Sequence, residues 1–216
     1  MKLCVLNPVS PKEIRKADQE VVDNAFPELD IAVEAIEKGP ASIESQVKEA
    51  AVVPEIVKLL KKVKDDYDGF LVNCFADPGV EAAREVTSKP VLGCGMTTMH
   101  LASILRKRFS ILTIRQIVPH IEENVYKYGL SNHLSHIFSV DIPVLELENE
   151  PKIIIEKIKG EQKVLEEKFT DIIILGCTGM ASVAPAIQKE VDPLILEPLR
   201  TTVSALGSIL RLDLKY

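Results

Sequence analysis

Short runs of apolar, often β-branched residues alternate with longer amphipathic stretches along the whole chain. Eight such runs predict β-strands, at residues 3–6, 31–35, 70–73, 91–93, 109–113, 136–140, 172–176 and 194–196. The segments between them leave room for crossover helices, which parallel strands require. The pattern therefore predicts an α/β fold with mostly parallel sheets flanked by helices.

Two of the intervening segments predict long helices. Residues 42–64 carry apolar side chains at nearly helical spacing, with Ser42 as the expected N-cap. Pro54 lies within this segment, and we expect it to kink or split the helix. Residues 152–169 predict a second long helix, whose Lys and Glu side chains form a solvated outer face.

The sequence also repeats itself at a fixed offset. The run Asp68-Gly69-Phe70-Leu71-Val72-Asn73-Cys74 resembles Asp171-Ile172-Ile173-Ile174-Leu175-Gly176-Cys177, and the two cysteines are 103 positions apart. Sixteen residues after each cysteine, a proline (Pro90 or Pro193) opens another apolar run. Such self-similarity is stronger evidence than a single motif. We expect two pseudo-symmetric lobes, residues 1–98 with 199–216 and residues 99–198, with an active site in the cleft between them.

Composition and charge narrow the range of partners. Hydrophobic residues make up 46% of the 216 residues, which is enough for a full core. No apolar run approaches the roughly 20 residues of a membrane span, and the N-terminus has no signal-peptide core. The net charge is −6 without a basic stripe. We expect a cytoplasmic protein that acts on a small molecule, contacts neither membrane nor nucleic acid, and is a possible homo-oligomer.

Four cysteines occur, and no CxxC motif joins any two of them. A chain of this kind is not expected to form disulfides. Cys4 lies within a predicted strand and Cys94 just beyond one, so both are expected to be small buried core residues. Cys74 and Cys177 differ from these two because they occupy equivalent positions in the two copies of the repeat.

The two equivalent cysteines suit acid–base chemistry. Each follows an apolar strand and precedes a helix-start signal, Asp77-Pro78-Gly79 or Thr178-Gly179. A helix N-terminus would favour the thiolate form. Lobes that face each other would bring the thiols to opposite walls of one cleft. A stereocentre could then lose its proton to a thiolate on one face and gain a proton from a thiol on the other.

Other candidate residues carry weaker signals. His133 and His136 have the spacing of a metal pair on a helix, but no carboxylate or cysteine partner is evident nearby. We expect them to have surface or capping roles. Structural or solvated positions are expected for His100, His120, Glu122 and Glu123. The sequence has no Walker or dinucleotide fingerprint, so no cofactor is expected.

Five segments of the chain match the motifs of a known family: Gly39-Pro40-Ala41-Ser42-Ile43-Glu44, Asn73-Cys74-Phe75-Ala76-Asp77-Pro78-Gly79, Pro90-Val91-Leu92-Gly93, Phe109-Ser110-Ile111-Leu112-Thr113 and Leu175-Gly176-Cys177-Thr178-Gly179-Met180-Ala181. With these segments the chain resembles the hydantoin racemases, within the aspartate/glutamate racemase superfamily. The resemblance covers nearly the whole chain. The two cysteine motifs occur in the family's order and at its separation.

The resemblance implies a racemase that uses neither pyridoxal phosphate nor metal, with Cys74 and Cys177 as its catalytic pair. Main-chain N–H groups that stabilise an enolate oxygen are expected at Phe75, Ala76, Thr178 and Gly179. Side chains that orient the substrate are expected at Asn7, Ser10, Thr113 and Thr178.

Two departures from the family pattern concern the substrate. The family usually opens with Asn-Pro-Asn-Thr or Asn-Pro-Asn-Ser, whereas this chain has Asn7-Pro8-Val9-Ser10. Thr113 is followed by Ile114 rather than by a second threonine. The favoured substrate is a 5-substituted hydantoin or a related amino-acid derivative. Aspartate or another amino acid, or allantoin, remains an alternative.

Two further readings are less favoured. A decarboxylase or cis-trans isomerase on this fold is disfavoured because decarboxylases of the superfamily keep one of the two cysteines. A small-molecule binding module would not need two thiols. The main prediction is therefore an isomerase.

Overall fold

The structure is a computed structural model that describes residues 1–10, 12–105 and 108–212. It separates into two compact units, Met1–Thr97 with Leu199–Tyr216, and Thr98–Pro198. Each unit holds a four-stranded sheet in which all strand pairs are parallel. The predicted α/β class, with two parallel sheets flanked by helices, is confirmed.

The first unit begins with a regular alternation of strands and helices. In chain order the elements are β1 (Lys2–Asn7), α1 (Lys12–Ala25), β2 (Asp30–Ala35), α2 (Gln46–Val63), β3 (Gly69–Val72), α3 (Val80–Arg84), β4 (Val91–Gly93) and α4 (Cys94–Leu105), most of which belongs to the second unit. The strand order is β2-β1-β3-β4. The order reverses direction between β1 and β3, and the carboxyl ends at such a switch point are where open α/β sheets bind ligands.

The second unit repeats this topology. Its elements are β5 (Phe109–Ile114), a 3-10 turn (Arg115–Ile117), α5 (Val118–Lys127), β6 (Leu134–Val140), a 3-10 segment (Val144–Asn149), α6 (Pro151–Gly160), α7 (Gln162–Glu167), β7 (Ile172–Leu175), a 3-10 turn (Thr178–Met180), α8 (Ala184–Gln188) and β8 (Leu194–Leu196). The strand order is β6-β5-β7-β8, with its switch point between β5 and β7. The chain then enters α9 (Pro198–Arg211), most of which belongs to the first unit.

Each unit has its own apolar core. In the first unit, Leu6 of β1 and Val72 of β3 pack in one cluster with Ile56 and Leu60 of α2. In the second, side chains of β5 to β8 pack with α6 and α8. Burial of one such aliphatic side chain contributes about 1.5–3 kcal/mol. These cores hold the central strands, and therefore the residues at their carboxyl ends, in place.

All eight predicted strands are present, but the first long helix starts later than predicted. α2 begins at Gln46, and its N-cap is Ser45, whose hydroxyl accepts the N–H of Lys48 at 3.3 Å. The predicted cap Ser42 instead donates to the carboxylate of Glu44. Pro54 does not split the helix, which runs unbroken to Val63. Pro54 lies on the exposed side, where water can bond the carbonyl oxygen that proline leaves without a donor.

The segment predicted as a second long helix forms two shorter helices. α6 ends at Gly160 and α7 begins at Gln162, with Glu161 as the break. Glycine has a low helix propensity, and the N–H of Glu161 is shared between the carbonyls of Lys157 and Ile158. No helix among residues 1–10, 12–105 and 108–212 is long and apolar enough to cross a membrane.

Candidate active site

Cys74 and Cys177 each lie two residues beyond the end of a central strand. Cys74 follows β3 and Cys177 follows β7, and these strands hold the same place in the two sheets. Both side chains are partly exposed, whereas Cys4 and Cys94 are buried. The prediction that Cys4 and Cys94 are core residues is thus confirmed. Cys74 and Cys177 have the solvent access that thiol chemistry requires.

The turn that follows Cys74 is anchored to the start of α4. The carboxylate of Asp77 accepts the N–H of Gly95 at 2.8 Å through Oδ1 and the N–H of Met96 at 2.6 Å through Oδ2. N–H groups at a helix start have no partner within the helix, so this carboxylate caps α4. Asp77 has a φ of 58°, a left-handed conformation that Asp adopts more readily than most residues.

Glycines permit this close approach. A β-carbon at Gly95 would collide with the carbonyl oxygen of Phe75, and one at Gly93 would collide with the Asp77 carboxylate. The turn from Cys74 to Asp77 also closes internally, because the N–H of Asp77 donates to the carbonyl of Cys74 at 3.1 Å. The position of Cys74 is therefore set by main-chain packing against the start of α4.

A helical segment begins at the predicted signal after each cysteine, but both segments are short. The helix after Cys74 is α3, which begins six residues later and has five residues. Cys177 is the N-cap of a 3-10 turn of three residues. Helices this short have little macrodipole. The longer helix at this end of the sheet is α4, which begins at Cys94 and is capped by the Asp77 carboxylate.

A buried carboxylate joins the strand ends of the first unit. Asp18 of α1 accepts, through Oδ2, the Nδ2–H of Asn7 at 2.6 Å and the Nδ2–H of Asn73 at 2.9 Å. Asn7 ends β1, and Asn73 lies between β3 and Cys74. On its other side, the Oδ1 of Asn73 lies 3.9 Å from the Sγ of Cys94. These contacts fix the orientation of the Asn73 amide.

Sequence reasoning did not identify Asp18 or Asn73 as site residues. The only sequence signal for Asn73 is its position next to Cys74. Asp18 has no such signal, because it is one of several acidic residues on a polar helix. The hydrogen bond between them joins residues 55 positions apart.

Asn7 and Ser10, both predicted to orient the substrate, lie in the same region. Asn7 is buried and its amide nitrogen is committed to Asp18, so its carbonyl oxygen is the part left to accept from a ligand. The Ser10 hydroxyl donates to the carbonyl of Gly39 at 2.9 Å, and its N–H donates to that of Pro40 at 3.3 Å. The loop after β1 is thereby tied to the loop after β2.

The strand ends of the second unit are joined directly. The hydroxyl of Thr113 donates to the carbonyl of Gly176 at 2.9 Å, and the N–H of Gly176 donates to the carbonyl of Leu112 at 2.6 Å. A β-carbon at Gly176 would lie 2.8 Å from Ile111 Cγ2 and 3.0 Å from the Leu112 oxygen. Position 176 therefore requires glycine, because a β-carbon there would prevent β7 from lying this close to β5. Since the hydroxyl proton of Thr113 is donated to Gly176, only the lone pairs of that hydroxyl remain for a ligand.

Two of the predicted oxyanion donors have unused N–H groups. Within the described residues, the main-chain N–H groups of Phe75 and Gly179 donate to no acceptor. Gly179 is exposed, and a β-carbon there would lie 3.5 Å from the Sγ of Cys177. Ala76 and Thr178, in contrast, each have an interaction partner in the structure. Phe75 and Gly179 are therefore the stronger candidates of the four.

His133 and His136 lie away from these strand ends. His136 is in β6 and His133 in the turn before it, so they are not a pair on a helix. His136 stacks on Phe138 and lies 3.7 Å from Glu161, and burial, assisted by Lys168, lowers its pKa against the opposing effect of Glu161. In the described ranges no three His, Cys, Asp or Glu side chains form a group that could hold a metal.

A cavity of about 590 Å³ in the second unit lies at the other end of its sheet. It is lined by Asp171, Pro193 and Leu194, at the amino-terminal ends of β7 and β8, and by none of the predicted site residues. Parallel sheets bind ligands at their carboxyl ends, so the substrate is not assigned to this cavity.

Sequence comparison relates the chain to racemases. The profile of the Asp/Glu/Hydantoin racemase family matches residues 3–206. A hydantoin racemase from Pseudomonas sp. (strain NS671) is 33% identical over 219 residues, covering 100% of this chain and 88% of that protein. A hydantoin racemase from Rhizobium meliloti is 32% identical over 174 residues, covering 79% of this chain and 72% of that protein.

Structural comparison agrees. Allantoin racemase from Klebsiella pneumoniae superimposes with a TM-score of 0.91 and 26% identity, covering 100% of this chain and 89% of that one. The agreement over the full length of the chain extends to both units rather than to one of the two sheets.

Proposed function

The chain belongs to the Asp/Glu/hydantoin racemase family, and we propose that it inverts the C5 stereocentre of a 5-substituted hydantoin, or of a close relative such as allantoin. The proposed acid and base are Cys74 and Cys177. An enzyme of this family is an isomerase that acts on a small molecule.

One observation carries the proposal. Two partly exposed thiols lie at equivalent positions, each two residues past the third strand of a four-stranded parallel sheet, while Cys4 and Cys94 are buried. Inversion of a carbon stereocentre requires two groups that reach opposite faces of the same atom, one to remove a proton and one to supply it. A repeated half-domain with one thiol in each copy supplies two such groups of one chemical kind.

The two proton transfers of the proposed reaction are symmetrical. The thiolate of one cysteine takes the proton from C5 and becomes a thiol, while the electron pair of the C–H bond moves into the C4 carbonyl and gives an enolate. The thiol of the other cysteine then protonates C5 from the opposite face and becomes a thiolate. No electrons are lost or gained, so the step needs no cofactor. Each turnover leaves the enzyme in the protonation state that accepts the opposite enantiomer.

The enolate oxygen needs hydrogen-bond donors. The N–H groups of Phe75 and Gly179 supply them, since both lack acceptors in the described chain and each lies within two residues of a reactive cysteine. A donor aimed at a developing oxyanion contributes about 2.7–4 kcal/mol of transition-state stabilisation. Ala76 and Thr178 complete the two turns, and they are weaker candidates because each already has an interaction partner in the structure.

Polar groups at the strand ends orient the ring. Asn7 offers its carbonyl oxygen to a ring N–H, Ser10 offers the lone pairs of its hydroxyl, and Thr178 offers its hydroxyl. The hydroxyl proton of Thr113 is committed to Gly176, so Thr113 accepts from the substrate or acts by holding the turn of Cys177. These roles are compatible with a planar ring that carries both N–H donors and carbonyl acceptors.

A hydantoin suits this site better than a free amino acid. The proton removed from an amino acid is weakly acidic, whereas the carbonyl and ring nitrogens of a hydantoin spread the charge of the enolate. The chain also places no cationic side chain among the predicted site residues, and a free α-carboxylate would need one or more strong donors. The relatives that are named hydantoin racemases support the same substrate class.

A substrate panel tests the proposal. Thermal shift with single enantiomers of several 5-substituted hydantoins, allantoin, aspartate and glutamate identifies ligands, and loss of optical rotation with each ligand then measures turnover. The proposal expects racemisation of at least one hydantoin or of allantoin, faster than of either amino acid. Racemisation of aspartate or glutamate alone would contradict the substrate class. Binding without loss of rotation by any compound would instead favour a binding module.

A further inference from the structure

Asp18 is a buried acid for which the reaction scheme has no use. It lies on α1, and 8% of its surface is exposed. Its Oδ2 accepts both the Asn7 and the Asn73 amide, at 2.6 Å and 2.9 Å. Hydrogen bonds to a carboxylate are among the stronger ones in proteins, and a buried amide without its acceptor is costly. The carboxylate is therefore the common anchor of two side chains that belong to different strands.

Those two side chains stand on either side of the switch point of the first sheet. Asn7 ends β1, and Asn73 is the residue between β3 and Cys74. The Asn73 amide is held on its other side by Cys94, whose Sγ lies 3.9 Å from Oδ1. Because Asn73 precedes Cys74 directly, the bond to Asp18 restrains the chain at the point where the proposed catalytic thiol leaves the sheet.

The second unit joins its strand ends in a different way. There Thr113 bonds directly to Gly176, so the strand ends at that switch point need no bridging carboxylate. Asn124 follows Thr113 by eleven residues, as Asp18 follows Asn7, and it is buried on α5. Its Nδ2 lies 3.3 Å from His120 on its own helix. The strand ends beside Cys74 are thus joined through Asp18, whereas those beside Cys177 are joined by a direct hydrogen bond.

We propose that Asp18 is a positioning residue that holds Cys74 in its reactive geometry through Asn73, an inference that rests on the proposed role of Cys74 in racemisation. The carboxylate acts through its hydrogen bonds and does not touch the substrate. A variant that keeps an acceptor at this place, Asp18→Asn, preserves the bridge. Asp18→Ala removes it and frees both amides.

The first readout is thiol reactivity, which needs no substrate. Wild type, D18N, D18A and the matched control N124A are treated with iodoacetamide, and the rates at Cys74 and Cys177 are followed separately by peptide mass spectrometry. In D18A we expect the Cys74 rate to rise by on the order of tenfold, because the loosened turn exposes the thiol. The Cys177 rate should not change, and D18N and N124A should label Cys74 as wild type does.

The second readout is turnover, with any substrate found active. In D18A we expect kcat to fall by about 100-fold with little change in KM, because small displacements of a reacting group have effects of that size. D18N should recover most of the loss. A purely structural role would instead lower stability in D18A and N124A alike, and would alter both cysteines together.

Three results overturn the inference. They are an unchanged Cys74 rate in D18A, equal changes at Cys74 and Cys177, or D18N behaving as D18A does, which would point to charge rather than to the bridge. If D18A does not fold, Asn73→Ala breaks the same bond from the other side and leaves the Asn7 bond intact. The labelling results hold even when no substrate is racemised, so failure of the inference and failure of the proposed function are distinguishable.

Discussion

The hydroxyl of Thr113 donates a hydrogen bond to the carbonyl of Gly176, the residue directly before Cys177. Thr113 belongs to β5, and Gly176 follows β7, so the bond joins the two strands at the switch point of the second sheet. Both residues are buried. The bond gives the turn of Cys177 a fixed start, as the bridge through Asp18 does for Cys74.

Thr113→Val tests this bond with almost no change in shape. Valine leaves the buried carbonyl of Gly176 without its donor, which should lower the free energy of unfolding by about 1–3 kcal/mol. We expect the folded Thr113→Val variant to lose racemase activity, because the turn that holds Cys177 is no longer fixed. Thr113→Ser keeps the hydroxyl and serves as the control. Urea unfolding and activity assays on wild type and the two variants measure both effects. Equal activity in the valine and serine variants would contradict the role of the bond.

Gly95→Ala tests the packing that places the turn of Cys74. The added β-carbon meets the main-chain oxygen of Phe75, which has no flexible side chain to move aside. Overpacking of this kind costs about 1–3 kcal/mol, and the turn should shift away from α4. Gly160→Ala is the control, because its β-carbon would meet nothing within 4 Å. We expect lower stability and activity in the first variant alone, and a loss of the same size in both would argue against a specific contact.

The fold was predictable because its strands are short apolar runs. All eight predicted strands occur, since burial on both faces of a parallel sheet leaves a continuous hydrophobic signal. Helix boundaries were less predictable. Ser42 and Ser45 are both capping residue types, and only the fold decides which hydroxyl meets a free N–H.

The catalytic candidates were predictable from the repeat, but their surroundings were not. The offset between Cys74 and Cys177 is a local sequence signal, and so are the adjoining residues of the two motifs. Asp18 and the capping role of Asp77 arise from contacts between distant elements. The sequence position of Asp77 predicts a role at the start of the next helix along the chain, whereas its carboxylate binds the first N–H groups of α4.

Phe169→Gly is expected to stabilise the protein. Phe169 follows α7 with a φ of 55° and is 78% exposed, so it contributes little packing while holding a strained conformation. The N–H of Phe169 bonds to Glu166 and that of Thr170 to Leu165, which is the helix-ending pattern that favours glycine. We expect a gain of about 1 kcal/mol in the free energy of unfolding. Phe169→Ala keeps the β-carbon and should show no such gain; an equal gain in both variants would show that strain is not its cause.

His136 should make the stability depend on pH. Burial lowers its pKa in the folded state, so protonation favours the unfolded chain. The free energy of unfolding should therefore fall as the pH drops below about 6.5, the usual pKa of histidine, and reach a plateau below the folded-state value. His136→Gln should remove part of this dependence. Urea unfolding between about pH 5 and pH 8 measures the slope, and an unchanged slope in the variant would contradict the assignment.

The two-thiol mechanism is tested most directly by racemisation of single enantiomers in heavy water by wild type, Cys74→Ser and Cys177→Ser. With wild type, product from either enantiomer should carry deuterium at the stereocentre, while remaining substrate gains little at early times. Loss of a positioned acid or base costs about 10²–10⁴-fold, so each variant should lose racemisation. The two variants should retain exchange of opposite enantiomers, if exchange survives at all. Racemisation close to the wild-type rate in either single variant would contradict the account.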